Sequence, residues 1–97
     1  MTVRIYSVVF DWDDGNRRKN QIKHDVSPEE CEQIFLNEPL LLLDDAAHSL
    51  KEVRSFALGR TNRDRRLSIS FTLRNERIRV ISARPMSKTE RTAYENA

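Results

Sequence analysis

Apolar and polar positions alternate most regularly between residues 66 and 84. Leu67, Ile69, Phe71 and Leu73 alternate with Ser68, Ser70, Thr72 and Arg74, the period of a half-buried strand. Asn75-Glu76 stands where a hairpin turn belongs, although no glycine assists it. Residues 78–84, Ile-Arg-Val-Ile-Ser-Ala-Arg, then read as a second strand, apolar yet carrying Arg79 and Arg84. Arginine is costly to bury unpaired, so its repeated use on a strand points to an anionic ligand or to carboxylates.

Elsewhere the pattern predicts a strand over 3–10, rich in β-branched and aromatic residues. A mostly polar helix over 14–24 follows, capped by Asp11 or Asp13 and anchored by Trp12 and Ile22. Ser27-Pro28-Glu29-Glu30 is a capping box with proline at the first helical position. The helix it opens runs to about residue 37 and buries Cys31, Ile34 and Phe35 on one stripe. Pro39 ends it, and 40–43 reads as a short buried strand, with a loop at 44–50. Residues 53–60 form the next strand, and 61–64 turn the chain into the hairpin. Ser87 and Glu90 make a second capping box, which starts a terminal helix over 88–94. The expected fold is α+β, a small antiparallel sheet with helices on one face, in the order β-α-α-β-β-β-β-α. One domain is expected to span 1–97.

Composition narrows the function. The chain has 97 residues, 38% hydrophobic and 33% charged. With no apolar run of membrane-spanning length, no membrane association is expected. The first residues carry too short an apolar stretch for a secretion signal, and a single cysteine fits a reducing cytoplasm. GxxxxGK[ST], GxGxxG and CxxC are absent, and His24 and His48 lack metal-ligand spacing, so neither metal nor cofactor is expected. Cys31, on an apolar helical stripe, reads as core. The net charge of +2 conceals an asymmetry: residues 1–59 carry −4 and residues 60–91 carry +7. Such a basic half is the electrostatic footprint of a polyanion binder.

Strand parity sorts the arginines. If Leu67 to Leu73 face the helices, then Ser68, Ser70, Thr72 and Arg74 line the open face, joined by Arg77 and Arg79. A floor of Ser and Thr bearing arginine suits a phosphodiester backbone. In a simple meander Arg54 lies at the same end as Arg79, while Arg84, of opposite parity, lies nearer Arg60, about 20 Å away. One phosphate can meet Arg54 and Arg79; Arg84 needs a bulge or an adjacent phosphate. The competing reading pairs these arginines with Glu52, Glu76 or the acidic first half. Lys23-His24 closes the first helix, where cations favour the helix dipole, but the pair could also supply proton transfer and charge stabilisation to a phosphate.

In these residues the chain resembles the BrnT toxins of type II toxin–antitoxin modules. The resemblance runs from Phe10-Asp11-Trp12-Asp13 through Asn20, Lys23-His24-x-Val26, Glu29-Glu30 and Phe35. It resumes at Glu52-x-Arg54, Gly59-Arg60 and Ile78 to Arg84, and closes with Glu90-Arg91 and Tyr94. It implies a RelE-like fold, metal-independent cleavage of RNA that inhibits translation, and a cognate ribbon-helix-helix antitoxin through which alone DNA is reached. Two positions depart from the family pattern. Asp25 stands where glycine usually follows Lys-His, and Ser55 where an aromatic usually follows the Glu-x-Arg arginine.

On this reading a ribose 2′-hydroxyl attacks the neighbouring phosphate. His24 or Lys23 transfers the proton, Arg54 and Arg79 hold the phosphate, and Arg84 adds stabilisation. Arg60, Arg66, Arg74 and Arg77 are assigned to the RNA backbone. The alternative is a catalytically weak or inactive module that binds RNA or the antitoxin and acts in autoregulation.

Overall fold

The computed structural model describes residues 9–45 and 52–97, without the side chains of 20–23. Helix α1 (Asp14–His24) and helix α2 (Pro28–Leu36) precede strands β1 (Leu41–Asp44), β2 (Arg54–Arg60), β3 (Arg66–Arg74) and β4 (Arg77–Pro85). Helix α3 (Lys88–Glu95) closes the chain. The strands form an antiparallel sheet in the order β1-β2-β3-β4, so the described residues have an α+β architecture. Most of the strand expected at 3–10 and of the loop expected at 44–50 lies outside the described residues. Within them, Phe10 bridges Ile78 in parallel. The Ile78 amide donates to the Val9 carbonyl at 2.9 Å, and the Asp11 amide donates to the Ile78 carbonyl at 2.8 Å.

Side-chain alternation divides the sheet into two faces. Ala57, Ile69 and Ala83 lie opposite one another in register, and with Leu67, Phe71 and Val80 they form the main core against Cys31 and Ile34 of α2. Complete burial of side chains such as Ile34, Leu67 and Ile69 contributes about 1.5–3 kcal/mol each. Gly59 lets α2 approach this closely, since a Cβ there would stand 2.9 Å from the Ile34 carbonyl oxygen. Ser27 and Glu30 form the expected reciprocal cap of α2, each bond 3.1 Å long. An aromatic chain continues the core: Phe10 meets Phe35 edge-on at 5.5 Å, and Phe35 meets Phe71 at 5.3 Å.

The expectation that all helices share one face is corrected. Leu58 has the opposite parity to Ala57 and, with Leu41 paired beside it, creates a second apolar patch. Met86 and Tyr94 cover that patch, which seats α3 on the face away from α2. The Ser87 cap turns the chain directly from β4 into this position. The burial expected for 40–43 is corrected as well: Leu42 and Leu43 are 59% and 50% exposed. They lie on an edge strand, and only Leu41 of this strand packs against the second cluster.

Backbone conformation explains two sequence features. Asn75 and Glu76 both adopt left-handed φ angles, 51° and 65°, the pattern of a type I′ hairpin turn, which matches strand twist without a glycine. Asp25 has φ 54°, immediately past the end of α1. A left-handed residue there is the common way to end a helix, and glycine adopts it without steric cost. The glycine expected after Lys-His therefore has a geometric reason, and Asp25 occupies the same conformation at some cost.

Candidate functional site

One row of residues crosses three strands near the β3–β4 turn. Arg54 on β2 lies opposite Thr72 on β3, and Thr72 lies opposite Arg79 on β4. This is the juxtaposition that strand parity predicts for Arg54 and Arg79. Arg74 stands two residues further along β3, on the same face. Together with Gly15, Asn16 and Lys19 of α1, Glu52, and Val80 and Ile81, these residues line an open cleft of about 290 Å³. Thr72 forms its floor rather than an exposed surface. It is buried, and its hydroxyl donates to the Val53 carbonyl at 2.8 Å. Ser68 and Ser70 are likewise buried, so the small-residue floor exists but is covered.

Helix α1 reaches the cleft through its N-terminus. Asp13 is the cap: its carboxylate accepts from the Asn16 amide at 2.9 Å, and its own amide donates to the Asn16 side chain at 2.7 Å. Asn16 also donates to the Asp11 carbonyl and to the Val80 carbonyl, at 3.0 and 3.2 Å, which ties the helix to β4 just past the Phe10–Ile78 bridge. With its backbone so fixed, Asp13 presents an oxygen to Arg79 at 2.7 Å, and Asp11 stands 3.6 Å from the same guanidinium. The Asn16 amide, and then Arg79, hold the Asp13 carboxyl below the usual carboxylate range.

Glu52 plays the matching part on the other side. Arg74 grips it through two parallel bonds of 2.8 and 3.0 Å. That contact lowers the Glu52 carboxyl below its ordinary value, and Arg54 and Arg79 add to the effect. Glu52 and Thr72 also line the adjoining apolar groove, about 620 Å³, whose walls include Phe35, Phe71, Val53, Leu73 and Ile78.

The parity expected for Arg84 is corrected. Register shifts between Ser70 and Phe71: Phe71 pairs with Val80, whereas Ser70 pairs with Ser82, so Ile81 is the extra residue of a β-bulge. The insertion brings Arg84 opposite Ser68, onto the face that carries Arg79 opposite Thr72. The two remain four residues apart along β3, about 13 Å. Arg84 is bound there to Glu90 at 2.6 and 3.0 Å, and Glu90 also accepts from the Ser68 hydroxyl at 3.2 Å. The same carboxylate closes the α3 capping box by accepting from the Ser87 amide at 2.8 Å. Led by the Arg84 contact, these bonds pull the Glu90 carboxyl down to about 2.

Other expected site residues lie elsewhere. His24 does not line the cleft: it ends α1, about 16 Å of helix from Asp13. Its carbonyl accepts from Arg65 at 3.2 Å, beyond the β2–β3 turn. The side chain of Lys23 lies outside the described residues. Arg60 donates to the Glu38 carbonyl at 2.7 Å. Arg66 lies over the Tyr94 ring, 5.7 Å from its centroid, and is bound to Glu95 and to Asp64. Arg77 is exposed beside the β3–β4 turn, opposite Arg74. Cys31 is core as expected, its thiol pushed up to about 12 by burial.

Glu52, Asn16 and Lys19 line the cleft, and Asp13 stands behind Arg79, yet none was expected as a site residue. Glu52 was visible as a counter-charge and as part of Glu52-x-Arg54, and of the two expected caps, Asp11 and Asp13, Asp13 is the one that caps α1.

The chain is thus a small α+β protein that carries, on one sheet face, an arginine row flanked by carboxylates. Its family is specific: the model of the ribonuclease toxin BrnT, of type II toxin–antitoxin systems, matches residues 12–90, and the chain belongs to that family. A toxin of this type implies an antitoxin partner. No curated protein matches the chain. No helix among the described residues is long and apolar enough to cross a membrane.

Proposed function

We propose that this protein is a metal-independent endoribonuclease, of RelE-like fold, that inhibits translation in the cytoplasm and is neutralised by a ribbon-helix-helix antitoxin. The observation that carries the reading is the Arg54–Thr72–Arg79 row, with Arg74 and Lys19 beside it in one open cleft. A phosphodiester entering the cleft exchanges one anion for another. Arg79 releases Asp13, which keeps its bond to the Asn16 amide, so the carboxylate is not stranded. The guanidinium then meets a phosphate oxygen in the paired geometry arginine favours.

In this mechanism a ribose 2′-hydroxyl attacks the adjacent phosphorus, and Arg54 and Arg79 stabilise the charge that accumulates on the phosphorane oxygens. Arg84, about 13 Å along the same face, contacts the RNA chain beyond the scissile phosphate. Arg74 and Arg77 extend the basic surface toward the hairpin tip.

The test is incubation of the purified protein with RNA in the presence of EDTA. Fragments ending in 2′,3′-cyclic or 3′-phosphate are expected, and their loss in Arg54→Ala and Arg79→Ala. Wild-type levels of cleavage and toxicity in both variants would overturn the assignment. The alternative binding module draws on one observation, that Arg74, Arg79 and Arg84 are all engaged by carboxylates in the resting chain. RNA retention without fragments is the result that favours it.

A further inference from the structure

The backbone on both sides of Arg79 is fastened to the start of α1. The Ile78 carbonyl accepts from the Asp11 amide at 2.8 Å, and the Val80 carbonyl accepts from the Asn16 side chain at 3.2 Å. The same side chain accepts from the Asp13 amide at 2.7 Å, and the Asn16 amide donates to Oδ1 of Asp13 at 2.9 Å. The other oxygen, Oδ2, then stands 2.7 Å from Nη2 of Arg79. Asp11 faces Nη1 of the same guanidinium at 3.6 Å. Both terminal nitrogens of Arg79, the paired donors that an end-on phosphate uses, are thus opposed by a carboxylate of this chain.

We propose that Asp13 is an internal competitor for the substrate phosphate: it occupies Arg79 until RNA displaces it, and so sets the affinity of the cleft for RNA. This rests on the reading of the cleft as the RNA site.

An ordinary surface ion pair competes weakly, because ordering two long side chains offsets most of the attraction. Here much of that ordering is built in. Asp13 has a short side chain fixed by the helix cap, and the Arg79 side chain is only 19% exposed. Its strand is also tied to the helix at both flanking residues. A carboxylate held beside its partner in this way acts as a ligand at high effective concentration. RNA binds the fraction of molecules in which Arg79 is free, and its apparent affinity is lowered by that fraction.

The contact is nonetheless one that a phosphate can break. The Asp13 side chain is 53% exposed, and Oδ1 keeps the Asn16 amide after Oδ2 is released. Asp11 and Asp13 together also outweigh the single charge of Arg79, so this corner of a basic cleft resists the approach of an anion. A positioning role for Asp13 predicts the opposite sign, because removing a carboxylate that aims Arg79 would weaken cleavage. The contact falls on the end of the guanidinium fork itself, which a partner serving only to aim it would leave open.

Asparagine and serine cap helices as well as aspartate does, so Asp13→Asn and Asp13→Ser should keep the fold, as circular dichroism checks. Binding of a 2′-O-methyl RNA, which resists cleavage, and kcat/KM on the unblocked RNA are measured for both variants. Asp14→Asn is the control for loss of one negative charge. Asp14 is exposed in the first turn of α1 and makes no ion pair with Arg79. Both Asp13 variants should bind the blocked RNA about three- to tenfold more tightly than Asp14→Asn does, with kcat/KM raised mainly through KM. In an Arg79→Ala background that advantage should vanish. Binding no tighter than that of Asp14→Asn, a lowered kcat in both Asp13 variants, or an advantage that survives the loss of Arg79 overturns the proposal. A wild type that binds RNA without cutting it sinks the nuclease reading alone, and the binding comparison still decides the role of Asp13. A wild type and variants that all fail to bind RNA sink the reading of the cleft, and this inference with it.

Discussion

The two ends of one sheet face use arginine in opposite ways. Near the β3–β4 turn, Arg79 is held by Asp13 and Arg74 by Glu52, at the rim of an open cleft. Near α3, Arg84 is held by Glu90, a carboxylate that also caps the helix and accepts from Ser68. Arg66 at that end lies against Tyr94. Every one of these arginines has a partner, so pairing alone does not separate function from structure. What separates them is what the carboxylate would lose on release. Asp13 and Glu52 are partly open to solvent, and Asp13 keeps a backbone bond. Glu90 gives up three contacts and a helix start.

The largest effect expected from this contrast is on catalysis. Arg79→Ala should reduce RNA cleavage about 10²- to 10³-fold, the typical cost of one charge-stabilising donor, with little change in stability. Arg84→Ala should reduce cleavage less than tenfold while lowering the denaturation midpoint. Equal losses of cleavage in the two would erase the distinction.

Smaller, and confined to stability, is the effect expected of Glu90→Ala. Loss of the cap and of a half-exposed ion pair should cost about 1–2 kcal/mol in urea unfolding. The sign with pH follows from its depressed carboxyl. The stabilisation is present in full above 4.5 and drains away as pH falls toward 2, because protonation is harder in the folded chain than in the unfolded one. Acid unfolding of Glu90→Gln should therefore be shallower than that of the wild type across this window.

The smallest effect lies just beyond the closed end, at Asp25. Replacing it by glycine relieves a left-handed side-chain conformation that costs about 1–2 kcal/mol, offset in part by the greater freedom glycine gives the unfolded chain. A net gain of about 0.5 kcal/mol is expected, read from the same urea titration. A loss would mean that the Asp25 side chain contributes more than its backbone costs.

Most of the fold was legible in the sequence, because caps and alternation are local. Ser27 with Glu30, Ser87 with Glu90, and the alternation of 67–73 specify their elements without reference to the rest of the chain. The side of the sheet taken by α3 was not legible, since it depends on Leu41 and Leu58 meeting across strands. At the candidate site, the meeting of Arg54 and Arg79 followed from a meander and simple parity. The position of Arg84 did not, because a bulge leaves no mark in composition. The place of His24 was hidden for a related reason: a motif gives residue types, whereas helix direction decides which end of the molecule receives them.

Ile81 gives the bulge a further consequence. It acts as a phase shifter within β4: before it, odd-numbered residues share the face of Arg79, and after it, even-numbered residues do. Were Ile81 instead paired with Ser70 in the ladder, the end of the strand would turn inside out, sending Ser82 and Arg84 toward α2 and lifting Ala83 out of the core. Both the arginine register and the packing of the last strand thus hang on a single inserted position.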